Sequence, residues 1–146
     1  MSETDFAARY APEVADALVQ STAAAPYSSL LGMRVVECAP GTVTCELPCR
    51  PQLDSGIGAI HGGAIASLVD HSLSLAVYPL VEKGKWVATS EFKLNYLRAA
   101  REGATLRATA RVLSLRRSTA VARVDVALED GSLVAVAQGT LHVRDY

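Results

Sequence analysis

One stretch, Gly63 to Val81, is apolar on nearly every side when wound as a helix, and it lies between segments that alternate with a period of two. Ile65, Leu68, Val69, Leu73, Ala76 and Val77 leave no broad polar face on it. A helix of that kind persists in water only when other elements cover it, so the remaining chain has to wrap around it. Its polar residues form a single narrow stripe, with Gly63, Ser67, Asp70 and Ser74 at i, i+4, i+7 and i+11. A carboxylate on a buried helix needs a partner, a shifted pKa or a chemical task. His61-Gly62-Gly63 opens the run. Glycines at a helix start leave backbone N–H groups bare toward an approaching anion.

The flanking chain supplies the wrapping. Residues 1–28 read as an N-terminal helical extension, with a helix over Pro12 to Gln20 whose Val14, Ala17 and Leu18 recur at helical spacing, ending before Pro26 and covering a sheet edge. From Leu30 the period changes to two. Met33 to Cys38 and Thr42 to Pro48 are short strands joined at Ala39-Pro40-Gly41, and Arg50 to Ile60 is a loop. Pro79 kinks the long helix or ends it early, and Lys83-Gly84-Lys85 marks its stop. Four strands follow: Trp86–Leu97, Thr105–Leu115, Ala120–Leu128 and Ser132–Val143, with a hairpin turn at Glu129-Asp130-Gly131. In the first of these, Phe92, Leu94 and Tyr96 share one face with Ala88 and Ser90, opposite Thr89 and Glu91. The fold class is α+β, an antiparallel sheet wrapped around one long buried helix over residues 29–146.

Bulk properties exclude several classes of partner. The formal net charge of −1 offers no field for nucleic acid or anionic lipid. The acidic start lacks the basic-then-apolar order of a signal peptide, and no apolar run approaches the ~20 residues of a membrane span. Cys38, Cys45 and Cys49 are odd in number and lack C-x-x-C spacing, which points to reduced thiols and a cytoplasmic setting. His61, His71 and His142 have no zinc-like spacing, so no metal is expected. Asp70 and His71 are adjacent and point about 100° apart on a helix, which argues against a Ser67-His71-Asp70 triad.

Leu31-Gly32, the run Gly58-Ala59-Ile60-His61-Gly62-Gly63, Asp70 nine positions after His61, Asn95-Tyr96-Leu97-Arg98-Ala99-Ala100 and Ala137-Gln138-Gly139-Thr140 together carry a resemblance. From about Leu30 to Val143 the chain resembles the hotdog-fold acyl-CoA thioesterases of the 4-hydroxybenzoyl-CoA thioesterase superfamily, in their phenylacetate-pathway-like branch. The resemblance implies that 29–146 is a hotdog thioesterase domain. It also implies that Asp70 is the catalytic carboxylate, that Gly62 or Gly63 supplies an oxyanion N–H, and that Thr89 helps to orient the water. Ser55, with Asp54 beside it, stands where that branch usually has Asn.

The chemistry fits those residue types. Water attacking a thioester carbonyl builds charge on oxygen, and one fixed N–H donor is worth ~3 kcal/mol to it. A nearby carboxylate takes the water proton as general base, or attacks directly to form an anhydride. The general-base route is the preferred one. His61, just before the helix, reads as a positioning residue. Arg116-Arg117-Ser118 at a hairpin tip, with Arg98 and then Lys93 and Arg101, are candidates to hold the phosphates of coenzyme A, which is part of the substrate; no separate cofactor is expected. Gly63 and Asp70 are about 10 Å apart along one helix at about 1.5 Å per residue. Acting on one thioester, they must come from two copies, so a homodimer, or a homotetramer built from dimers, is expected. A non-catalytic acyl-CoA binder and a hotdog hydroxyacyl-thioester dehydratase are the alternatives.

Overall fold

The computed structural model describes residues 3–146, with side chains from Phe6 onward. Three short helices come first: α1 (Glu3–Arg9), α2 (Pro12–Ser21) and α3 (Pro26–Leu31). Strands β1 (Arg34–Ala39) and β2 (Thr42–Pro48) follow, then α4 (Gly62–Val77), then β3 (Lys85–Tyr96), β4 (Thr105–Leu115), β5 (Thr119–Ala127) and β6 (Leu133–Asp145). The six strands form one antiparallel sheet in the order β1-β2-β4-β5-β6-β3. The α4 helix packs across β2, β4, β5, β6 and β3. Its Leu68 and Leu73 meet Leu47, Leu106 and Leu141 of the sheet in one core, all fully buried. The opposite face of the sheet is polar: Glu46 on β2 bonds Arg34 on β1 at 2.7 Å and Arg107 on β4 at 3.2 Å. No helix among the described residues is long and apolar enough to cross a membrane.

Four local expectations are corrected. First, the N-terminal helical segment is longer than one helix. Seven residues of α1 show little period, yet Phe6 is buried against the β1–β2 turn, where a Cβ on Gly41 would meet its ring at 2.9 Å. The α3 helix runs through Leu30 and Leu31, starting at Pro26 and ending at Gly32 with φ 80°. Met33 is buried but not in the strand, which starts at Arg34. The α2 helix does lie against β1, an edge strand.

Second, the long helix does not reach Val81 but takes the early end that Pro79 was expected to allow. It ends at Val77, and a 3-10 turn, Tyr78–Leu80, replaces the last turn. Pro79 has no N–H to give and crowds the carbonyl four residues back. Third, the helix is not covered all round. Its sheet side is buried, whereas Gly63 and Asp70 are exposed and Ser67 and Ser74 are half-buried. Fourth, β3 does not alternate throughout. Its pairing with β6 slips between Thr89 and Glu91, so Val87 and Thr89 share the helix side with Phe92 and Leu94 beyond the bulge. Gly139 of β6 permits this: a Cβ there would lie 2.6 Å from the Glu91 carbonyl and 2.7 Å from Phe92 Cβ.

Candidate active site

The entry to α4 is fixed from both sides. The His61 N–H donates to the Leu53 carbonyl at 2.7 Å, and the Ile60 N–H to Ala100 at 2.8 Å. His61 is then the N-cap, and its Nδ1 accepts the Gly63 N–H at 2.8 Å. Tyr96, at the end of β3, donates its hydroxyl to the Gly62 carbonyl at 2.8 Å. These contacts explain the paired glycines. A Cβ on Gly63 would lie 2.9 Å from His61 Nδ1, and one on Gly62 would lie 3.1 Å from the Tyr96 hydroxyl. The two amides therefore differ. Gly63 spends its N–H on the cap, while the Gly62 N–H has no partner among the described residues.

The preceding loop is satisfied internally. Asp54 Oδ1 accepts the N–H groups of Gly56 and Gly58, and Ser55 donates both its hydroxyl and its N–H to the Ala59 carbonyl at 2.8 Å. The Ser55 hydroxyl is thus committed to closing the loop. Arg101 steadies it further by donating to the Gly58 carbonyl at 3.0 Å. A cleft of about 240 Å³ opens at this helix mouth, lined by Tyr27, Gln52, Asp54, His61 and Ser67 among others. Tyr27 comes from α3, and its hydroxyl bonds Ser67 Oγ at 2.7 Å.

Asp70 opens on a different cleft, of about 540 Å³, with Ser74 on the next helical turn and Thr89, Glu91 and Phe92 on β3. Asp70 is exposed and forms no hydrogen bond or ion pair among the described residues. Ser74 Oγ and Thr89 Oγ1 lie 3.2 Å apart, a hydroxyl pair within the same cleft. Thr89 faces it together with Val87, and the bulge that follows keeps Phe92 on the same side. Ser74 was visible as a member of the polar stripe one turn after Asp70, but nothing in the sequence pairs it with Thr89. Nor does the sequence signal the bond from Tyr96 to Gly62. Neighbouring His71 is turned inward: burial pushes its imidazole down from the ordinary range, and the Asp70 carboxylate pulls it partly back.

The cationic candidates divide into two groups. Arg98 N–H bonds the Val134 carbonyl at one end of β6, while the Ser118 carbonyl accepts from Val143 at the other. Nine residues of β6 at about 3.3 Å each put roughly 30 Å between them. Arg98 and Arg101 share the helix-mouth end. Arg116 and Arg117 line a cleft of about 700 Å³ with Arg9, Glu82 and Lys85 at the C-terminal end of α4. Within one chain these arginines do not form one clamp. Cys38, Cys45 and Cys49 are free thiols, and burial pushes Cys45 up to about 12, so it packs as a small apolar group.

A family model described as the thioesterase superfamily matches residues 57–135, from the glycine loop through α4 to the start of β6. Human acyl-coenzyme A thioesterase 13 is 31% identical over 124 residues, covering 84% of this chain and 88% of that protein. A solved thioesterase from Haemophilus influenzae superposes with a TM-score of 0.82 at 27% identity, covering 89% of this chain and 90% of that one. The Escherichia coli PaaI protein of the phenylacetic acid degradation operon shares the fold, with a TM-score of 0.80 at 23% identity over 89% and 93% of the two chains. Sequence, helix, sheet order and superposition agree: this chain belongs to the thioesterase superfamily, as a hotdog-fold thioester hydrolase.

Proposed function

We propose that this protein hydrolyses an acyl-CoA thioester to a carboxylic acid and free coenzyme A, at sites composed from two copies of the chain. The observation carrying the composite site is that the helix mouth, at His61 and Gly63, and the Asp70 carboxylate open on separate clefts of one chain. Gly62 precedes Asp70 by eight residues, about 12 Å along the helix, too far for both to touch one thioester carbon. A partner helix running alongside brings the mouth of one copy to the Asp70 of the other. The exposed stripe of α4 and the unpaired edge of β3 are the surfaces for such a partner.

In this reading the Gly62 N–H polarises the thioester carbonyl and holds its developing charge. Asp70 removes a proton from water, which Thr89 and Ser74 orient through their paired hydroxyls. The resulting tetrahedral intermediate collapses with loss of the coenzyme A thiolate. The similarity to human acyl-coenzyme A thioesterase 13 supports coenzyme A as the thiol carrier. Arg116, Arg117 and Ser118 of one copy, or Arg98 with Arg101, are the groups available for its phosphates.

The test is thiol release from a panel of acyl-CoAs, with parent and Asp70→Asn compared. The variant keeps the shape of the side chain and loses the base, so kcat drops by about 10²–10⁴-fold while acyl-CoA still binds. A variant hydrolysing as fast as the parent removes Asp70 from the mechanism.

A further inference from the structure

We infer that Tyr96 is a positioning residue for the helix mouth, holding the first helical peptide so that His61 keeps its proton on Nε2 and presents it as a second hydrogen-bond donor beside the Gly62 N–H. This rests on the hydrolase reading above and adds residues to its oxyanion site. The peptide joining Gly62 to Gly63 is gripped at both ends. Its carbonyl accepts the Tyr96 hydroxyl at 2.8 Å, and its N–H donates to His61 Nδ1 at 2.8 Å. A peptide whose carbonyl accepts a hydrogen bond is a stronger donor at its N–H, because successive bonds polarise one another. A nitrogen that accepts cannot carry the proton, so the neutral imidazole is protonated at Nε2.

The Nε2–H has no acceptor among the described residues, and His61 lines the helix-mouth cleft. Two N–H donors at the start of the helix, the Gly62 backbone and the His61 ring, are then without an acceptor among the described residues. Tyr96 is not held there by burial. It is 53% exposed at the end of an edge strand, with its ring against a glycine. A side chain placed mainly for packing would gain little in that position. Its hydroxyl contact, and the missing Cβ of Gly62 that allows it, account for its placement.

Tyr96→Phe tests this, since the ring stays over Gly62 and only the hydroxyl goes. Nitrogen-15 NMR of the His61 ring reports the tautomer directly. In the parent, His61 shows the Nε2–H pattern; in Tyr96→Phe it changes to a mixture of tautomers. The same substitution lowers kcat by about fivefold, with KM for acyl-CoA changed by less than about twofold. A variant with the parent's imidazole pattern and kcat overturns the inference, and a fall in melting temperature alone assigns Tyr96 to packing. A parent that releases no thiol overturns the hydrolase reading instead, while the imidazole pattern still decides for or against Tyr96.

Discussion

Gly62 and Gly63 are adjacent and identical in type, yet only one can serve a ligand. The Gly63 N–H is closed by the His61 cap, and the Gly62 N–H is bare. This gives a clean way to remove a backbone donor. Proline is tolerated at the first position of a helix, and His61 at φ −59° and ψ 132° already has the extended conformation that a following proline requires. Gly62→Pro replaces the N–H with a ring through Cβ, Cγ and Cδ; Gly62→Ala keeps the N–H and adds only the Cβ, 3.1 Å from the Tyr96 hydroxyl. The proline variant should turn over about 10²–10³-fold more slowly than the alanine variant, read as kcat for thiol release. Equal rates would remove the Gly62 amide from the chemistry. At this scale the sequence located the glycines at the helix start and the acid within its polar stripe. It did not show which amide was free, because that depends on the direction of the His61 ring. Nor did it show Asp70 exposed, since that part of the stripe lies away from the sheet and none of the described residues bonds its carboxylate.

The helix and the strands it meets were legible for a different reason. Leu106, Ala108, Ala110 and Val112 of β4 alternate inward as their pattern predicts, up to a bulge after Val112, and β2 spans Thr42–Pro48 as its pattern and the Pro40-Gly41 turn predict. Strand β3 misleads, because a bulge moves later residues to the other face while the alternation reads on unbroken. The space for it lies on another strand, at Gly139, where a side chain would strike the Glu91 carbonyl and Phe92. No local pattern in β3 reports that contact. Gly139→Ala should therefore destabilise the fold by about 1–3 kcal/mol through overpacking, measured as a lowered urea midpoint. It should also lower kcat, because a disturbed bulge shifts the adjoining Thr89 against Ser74. A variant as stable as the parent would mean that β6 relaxes without disturbing β3. Both ends of α4 were legible: the glycines at its start sit where the sequence puts them, and the helix gives way to a 3-10 turn at Pro79, the residue expected to kink it or end it early.

At the scale of the whole molecule, two half-sites on one chain make a quantitative demand. If each active site joins the helix mouth of one copy to the Asp70 of another, faults in the two halves must complement. Chains carrying Gly62→Pro keep an intact Asp70, and chains carrying Asp70→Asn keep an intact mouth. Unfolded together in equal amounts and refolded, they pair at random, so half of the dimers are mixed. Each mixed dimer has one site built from the two sound halves and one built from both faulty halves. The mixture should recover about a quarter of the parent's specific activity, whether the dimers remain alone or pair further into tetramers. Each variant refolded alone stays near its own baseline. Sites contained within single chains would give no recovery, since every chain carries one fault. The roughly 30 Å between the Arg98 and Arg116 ends of the sheet follows the same logic. In the proposed dimer, a partner helix running in the opposite direction would bring the basic cleft at the C-terminal end of one α4 toward the mouth of the other, and arginines that fail to meet within one chain would then serve one coenzyme A across two.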